Sequence, residues 1–102
     1  KVVGFRFENG LKIPHMGWNR IDKKKASLFL EGISDGDYVY FVHSYYVVPE
    51  NSSLTATQTT YGPDFASSIA TDHLFACQFH PEKSQRVGLR ILANFGRFAE
   101  GV

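Results

Sequence analysis

Apolar residues along most of the chain recur in the pattern of β-strands. Residues 2–7 are β-branched and aromatic, and residues 38–42 form a nearly continuous apolar run, which is typical of a strand buried on both faces. Three more strand-like segments follow, at residues 54–60, 65–71 and 74–79. Because the turns between these three are short, we expect them to be antiparallel neighbours.

The last part of the chain changes to a helical period. From Ser84, a candidate N-cap, the apolar positions recur every three or four residues, which predicts an amphipathic α-helix. The apolar stripe contains Val87, Gly88, Ile91, Leu92, Phe95, Phe98 and Ala99, and the opposite face contains Arg86, Arg90 and Arg97.

The stretches before residue 38 are less regular. Residues 8–10, Glu-Asn-Gly, predict a turn after the first strand. Pro14 and Gly17 argue against a long element within residues 11–21, whereas residues 26–30 predict a helical turn that is closed by Gly32.

Composition limits the class of protein. The 102 residues, 43% hydrophobic and 15% aromatic, are enough for one folded domain over residues 1–102. A net charge of +1 provides no broad basic surface for nucleic acid or a membrane. The single cysteine, Cys77, excludes an internal disulfide and fits a reducing, cytoplasmic setting. The start at Lys1, without Met or a signal peptide, is typical of an internal position in a longer chain.

The residues that could carry chemistry lie where the last strand meets the helix. His80 and Glu82 flank Pro81, and in an extended segment residues two apart share a face. Glu82 could then orient His80 as a general base that serves a nucleophile. A surface His and Glu with no catalytic role would show the same short pattern.

The other candidate groups are weaker. Cys77 shares its strand face with Phe75 and Phe79, opposite His80, which indicates a small buried hydrophobe and not the nucleophile. The four histidines, His15, His43, His73 and His80, match no usual zinc-ligand spacing. His43 lies inside an apolar run and is expected to be a hydrogen-bonded core residue.

Several separated segments together resemble a known family. They are residues 12–19 (KIPHMGWN), 40–46 (YFVHSYY), 79–84 (FHPEKS) and 88–95 (GLRILANF). They are similar to the glutaminase subunits of imidazole glycerol phosphate synthase, which are class I, triad-type glutamine amidotransferases of histidine biosynthesis. The resemblance implies an α/β, flavodoxin-like domain, of which this chain would be the C-terminal half, mostly β-strands with a C-terminal amphipathic helix.

The resemblance also implies roles for individual residues. His80 would be the base of a Cys-His-Glu triad, Glu82 would orient it, and Ser44 and Tyr45 would lie along the glutamine pocket. The face that docks the cyclase, which is a (β/α)₈ barrel that consumes the ammonia, would include Trp18, Asn19, Tyr40 and Lys83. No metal or organic cofactor is implied.

The chain departs from the family because it lacks the first half of the family's domain, which should carry the nucleophile elbow, the glycine-rich oxyanion strand and several parallel strands. No cysteine is followed two residues later by glycine, so the nucleophile elbow of the family does not occur in it. Two interpretations follow: the chain contributes the base half of a glutaminase site completed elsewhere and is inactive alone, or it is a free-standing half-domain without chemistry. In either case an uncovered sheet edge and apolar face predict self-association, most simply as a homodimer.

Overall fold

In the part of the chain that the structure describes, strands are the commonest element and one α-helix follows them. The computed structural model describes residues 2–5, 13–72 and 74–100, without the side chains of residues 98–100. The strands within this part are β1 (Val2–Gly4), β2 (His15–Lys23), β3 (Asp37–His43), β4 (Tyr45–Val47), β5 (Thr55–Thr60), β6 (Asp64–Ala70) and β7 (Phe75–Cys77), followed by the helix α1 (Gln85–Glu100). Short 3₁₀ helices occupy Leu28–Leu30, Ser52–Leu54 and Pro81–Lys83.

Five strands form one antiparallel sheet in the order β3-β2-β5-β6-β7, and β1 pairs antiparallel with β4. The prediction that the last three strands are antiparallel neighbours is confirmed. In the β2–β3 pair, His15 lies opposite His43 and Trp18 lies opposite Tyr40. This register places two histidines on the buried face and two aromatic residues on the outer face. The turn predicted at residues 8–10 lies outside the described residues.

The prediction that residues 11–21 hold no long element is wrong, because β2 runs for nine residues. Gly17 adopts a φ of +123° within the strand, a conformation that glycine tolerates, and so it does not end the strand. The prediction that the strand at residues 38–42 is buried on both faces is also wrong. Val39 and Phe41 are fully buried, whereas Tyr38 on the other face is 55% exposed.

Helix α1 is held against the sheet by a narrower stripe than the sequence predicts. Val87 and Ile91 are buried, but Leu92 and Phe95 are nearly half exposed. The stripe is completed by Asn94, which is 2% exposed and donates from Nδ2 to the carbonyls of Phe29 (3.0 Å) and Glu31 (2.8 Å). The predicted contributions of Phe98 and Ala99 concern side chains outside the described ones.

The Leu28–Leu30 turn matches the helical turn predicted at residues 26–30. Ser27 caps it by accepting from the N–H of Phe29, and Gly32 follows it with a φ of +82°. That φ lies in the left-handed region that glycine adopts without strain.

Among the described residues, no helix combines the length and the apolar character that a membrane span requires.

Replacing Asn94 by alanine is expected to lower the free energy of unfolding by about 2 kcal/mol. The substitution removes both donations from the Asn94 amide to the segment at Phe29 and Glu31, and only Arg90 Nε still donates from α1 to the carbonyl of Glu31. Urea unfolding measures the loss, with Leu89→Ala on the exposed side of the same helix as the control. Equal, small effects of the two substitutions would contradict this account of how the helix docks.

Candidate active site

His80 and Glu82 lie together at the junction of β7 and α1. His80 Nδ1 is 3.4 Å from Glu82 Oε2, and the two side chains are 40% and 59% exposed. The backbone between them is not extended as predicted, because Pro81–Lys83 forms a 3₁₀ turn with proline at its first position. The turn brings the carboxylate to Nδ1, which leaves Nε2 as the nitrogen available to a substrate or a nucleophile.

The His80 turn is anchored to the middle of β3. The N–H of His80 donates to the carbonyl of Tyr40 at 2.9 Å, and the N–H of Tyr40 donates to Ser84 Oγ at 2.9 Å. Ser84 Oγ in turn donates to the carbonyl of His80 at 2.7 Å. Ser84 precedes α1 as predicted, but its buried hydroxyl joins the turn to β3 instead of capping the helix. The sequence gives no signal for this use of Ser84.

Gly88 leaves room for this turn. A Cβ placed on Gly88 would lie 1.8 Å from the carbonyl oxygen of Pro81, whereas a Cβ on Gly96 of the same helix meets nothing within 4 Å. Helix α1 therefore passes directly beneath the 3₁₀ turn, at a distance that only glycine permits. A glycine inside a helical pattern was the available signal for this close approach.

Ser44 and Tyr45, predicted to line a pocket, lie where β3 passes into β4. The carbonyl of Ser44 accepts from the N–H of Phe5 at 3.0 Å, and His43 Nδ1 lies 2.8 Å from the carbonyl oxygen of Tyr45. The Tyr45 side chain is 62% exposed. Because β3 carries both the Tyr40 anchor and this segment, the same strand positions His80 and the backbone of Ser44 and Tyr45.

The four residues predicted to contact a partner divide between two faces. Trp18 and Tyr40 pack edge to face on the outer side of the sheet, with ring centroids 5.9 Å apart. Lys83 is exposed on the turn that is anchored at Tyr40. Asn19 points to the other side of β2, where Nδ2 donates to the carbonyl of Thr60 at 2.9 Å and lies 3.3 Å from His15 Nε2.

Cys77 faces the core, as its strand position predicts. It packs against the core cluster, and its Sγ donates to the carbonyl of Phe79 at 3.4 Å. Burial and, to a smaller extent, the nearby Glu82 carboxylate raise the pKa of the thiol to about 11. Since the thiolate is the nucleophilic form, Cys77 is not suited to attack a carbonyl at neutral pH.

Two of the histidines form a buried pair. His15 Nδ1 and His43 Nε2 are 2.8 Å apart, and the residues are 3% and 8% exposed, which agrees with the predicted core position of His43. Burial, followed by the neighbouring His43, lowers the pKa of His15 to about 4; burial is also the main cause of the lowered pKa of His43. Within the described residues, which exclude His73, no three His, Cys, Asp or Glu side chains cluster as metal ligands.

Lowering the pH from 7 to 4 is expected to reduce the free energy of unfolding through His15. Its pKa is about 4 in the folded chain against an ordinary 6.5, so in this window the unfolded chain binds a proton that the folded chain does not. The stabilisation is complete above pH 6.5 and is lost as the pH falls toward 4, by an amount on the order of 3 kcal/mol.

Urea unfolding at several pH values checks this prediction. His15→Asn, whose amide can still donate to His43, removes one of the two buried titrating groups and is expected to reduce the pH dependence between 6.5 and 4 to the part that His43 contributes. The same pH dependence in both proteins would contradict the assignment to His15.

The chain matches a family model over nearly its whole length. The model is that of the glutamine amidotransferase class-I family, and residues 1–97 match it. The imidazole glycerol phosphate synthase subunit HisH of Aquifex aeolicus is 59% identical over 91 residues, which are 89% of this chain and 44% of that protein. The subunit HisH of Syntrophotalea carbinolica is 56% identical over 86 residues, 84% of this chain and 42% of that protein.

A solved structure has the same fold. A GMP synthase subunit protein from Thermoplasma acidophilum superposes with a TM-score of 0.74 over 98% of this chain and 49% of that one, at 21% identity. The identity is low enough that this likeness concerns the fold alone. The resemblance and the fold class predicted from the sequence are confirmed, and the chain spans less than half the length of these relatives.

Proposed function

This chain belongs to the class-I glutamine amidotransferase family, and from that premise we propose that it supplies the general base of the glutaminase subunit of an imidazole glycerol phosphate synthase. The observation that carries the proposal is the His80–Glu82 pair, held on a turn that β3 anchors. The family description supplies the amidotransferase reaction, and the name of the relatives supplies the enzyme to which the subunit belongs; its setting in histidine biosynthesis is part of the proposal.

The chemistry follows from the two ring nitrogens. Glu82 accepts from His80 Nδ1–H, which leaves Nε2 with the lone pair that takes the proton of a cysteine thiol. The thiolate attacks the side-chain amide carbon of glutamine, the imidazolium returns a proton to the leaving nitrogen, and ammonia departs. Water then cleaves the resulting γ-glutamyl thioester to glutamate with His80 again as the base.

The thiol in this scheme comes from outside the chain. Its one cysteine, Cys77, is half-buried beside Phe79 and has a raised pKa, and it is not the required nucleophile. We therefore expect the chain alone to release no glutamate from glutamine. The proposed site is completed by the part of the relatives that this chain does not span.

Two further surfaces have roles in the proposal. The backbone of Ser44 and Tyr45 forms one wall of the glutamine pocket. The outer face around Trp18, Tyr40 and Lys83 docks the cyclase barrel that consumes the ammonia. Asn19, predicted to belong to this docking surface, lies on the opposite face of β2. An aromatic pair beside a lysine suits such a docking surface, since large exposed rings contribute much area at low entropic cost.

A graft tests the proposal. In the Aquifex aeolicus relative, the 91 matching residues are replaced by those of this chain, and glutamate release from glutamine is measured with that organism's cyclase subunit. We expect release from the graft and none from the isolated chain under the same conditions. A folded graft that binds the cyclase but releases no glutamate would overturn the proposal.

Self-association without chemistry is the second candidate. The observation that favours it is the outer side of α1, where Leu89, Leu92 and Phe95 are 65%, 47% and 44% exposed. Such an apolar face favours pairing with a second copy. Light scattering tests self-association: a dimer that Leu89→Lys converts to a monomer supports it, and a concentration-independent monomer excludes it. The graft experiment decides whether the chain also contributes to chemistry.

A further inference from the structure

The buried His15–His43 pair has no part in the proposed chemistry, although it touches the proposed pocket. Its two bonded nitrogens are 2.8 Å apart, and the pair connects β2 to β3 inside the core. One end of the pair reaches the carbonyl of Tyr45, and the other reaches the half-buried side chain of Asn19 on the same face of β2 as His15.

The hydrogen-bond partners fix where the protons lie. A carbonyl only accepts, so His43 Nδ1 carries the hydrogen that is donated to Tyr45. A neutral imidazole has one N–H, so His43 Nε2 accepts from His15 Nδ1–H. His15 Nε2 is then left as an acceptor, and the Asn19 amide 3.3 Å away donates to it.

The surroundings favour this neutral, fully bonded arrangement. Tyr61 and Phe41 stack on the two sides of His15, with ring centroids 4.0 and 4.6 Å away, and Phe5 meets His43 edge-on at 5.1 Å. A positive charge among these rings is costly, which agrees with the lowered pKa values of both histidines. Because aromatic side chains pack against both imidazole rings, a shift of one hydrogen-bonded nitrogen shifts the others.

We propose that His43 is a positioning residue for the glutamine pocket: through the chain Asn19–His15–His43 it fixes the carbonyl of Tyr45 and hence the backbone of Ser44 and Tyr45. This inference rests on the proposed function, which assigns that backbone to the pocket. Phe5 holds the neighbouring carbonyl of Ser44, so both carbonyls of the segment are tied inward. The same series of hydrogen bonds connects Asn19, on the face of β2 opposite Trp18, to the pocket.

The chain of hydrogen bonds is tested without any activity measurement. Long-range ¹⁵N–¹H spectra of the protein report which ring nitrogen carries the proton, and we expect the Nδ1–H tautomer for both histidines. Asn19→Ala is expected to shift the ring resonances of His43 and the amide resonance of Tyr46, which follows the bonded carbonyl. Met16→Ala, on the outer face of β2, is the control and is expected to leave both unchanged. An Nε2–H tautomer at His43, or equal shifts in the two variants, would show that these residues are not connected by the proposed series of hydrogen bonds.

Two substitutions at His43 test its effect on the pocket. In His43→Asn the amide nitrogen lies near the position of Nδ1 and can keep the bond to Tyr45, whereas in His43→Gln it lies near Nε2 and can bond only toward His15. We expect His43→Gln, and not His43→Asn, to reduce the hydrogen-exchange protection of the residue 44–46 amides at least tenfold. In the graft, His43→Gln is expected to raise the KM for glutamine more than it lowers kcat.

The outcomes separate the two proposals. Equal exchange protection in the two His43 variants would overturn the positioning role, whether or not the graft is active. An inactive graft in which the exchange difference is present would instead overturn the proposed function and leave the hydrogen-bonded chain in place.

Discussion

Replacing Gly88 by alanine is expected to lower the free energy of unfolding by about 3 kcal/mol and to displace His80 from Tyr40. The new Cβ would lie 1.8 Å from the carbonyl oxygen of Pro81, so either α1 or the Pro81–Lys83 turn must move. The turn is the smaller element, but the bonds from His80 and Ser84 to β3 hold it in place. Relief of the clash therefore costs either these bonds or the burial of Val87 and Ile91.

Gly96 supplies the matched control. It lies in the same helix, and a Cβ added to it would meet nothing within 4 Å, so Gly96→Ala is expected to raise the free energy of unfolding by about 0.5–1 kcal/mol through helix propensity. Urea unfolding compares the two variants, and the amide resonances of residues 80–84 report movement of the turn. Stabilisation by both substitutions would contradict the close approach of α1 to Pro81.

Local sequence patterns predict where the strands and the helix lie better than they predict what packs against each of them. The β-branched and aromatic run at residues 38–42 locates β3, and the apolar period locates α1, because side-chain spacing reflects the backbone geometry directly. Whether a face of a strand is buried depends instead on which other elements pack against it. The run at residues 38–42 predicts two buried faces, yet only the Val39 and Phe41 face is covered within the described chain.

The sequence pattern does not predict the roles of Asn94 and Gly17. Asn94 lies in the apolar stripe of α1 but is buried because its amide donates to the carbonyls of Phe29, in the Leu28–Leu30 turn, and of Glu31, which follows it. Gly17 is typical of a strand breaker, whereas its φ of +123° lets β2 continue past it. Neither outcome is visible without knowing which backbone groups the neighbouring elements present.

In the candidate site, too, local spacing predicts part of the arrangement, and contacts between distant segments determine the rest. The pairing of His80 with Glu82 follows from their spacing, although the backbone that achieves it is a 3₁₀ turn and not an extended segment. The supports of that turn, Tyr40 and Ser84, come from a strand about forty residues away and from the residue before the helix. The His15–His43 bond depends on the β2–β3 register, which no local pattern specifies.

His80→Asn in the graft is expected to reduce the rate of glutamate release about a thousandfold or more. The asparagine amide can still donate toward Glu82 but has no lone pair with which to take the proton of the thiol. Glu82→Gln is expected to cause a smaller loss, because it removes the charge beside the imidazole and keeps an acceptor near Nδ1. Glu50→Gln, an exposed carboxylate outside the site, is the control and is expected to leave the rate unchanged.

The rate of glutamate release by the cyclase-bound graft, compared with that of its His80→Asn variant, is the measurement that tests the central claim most directly. If His80 is the base that this chain supplies, the graft releases glutamate and the variant loses nearly all of that rate while still binding the cyclase. A variant that folds, binds and releases glutamate at the rate of the graft would contradict the claim.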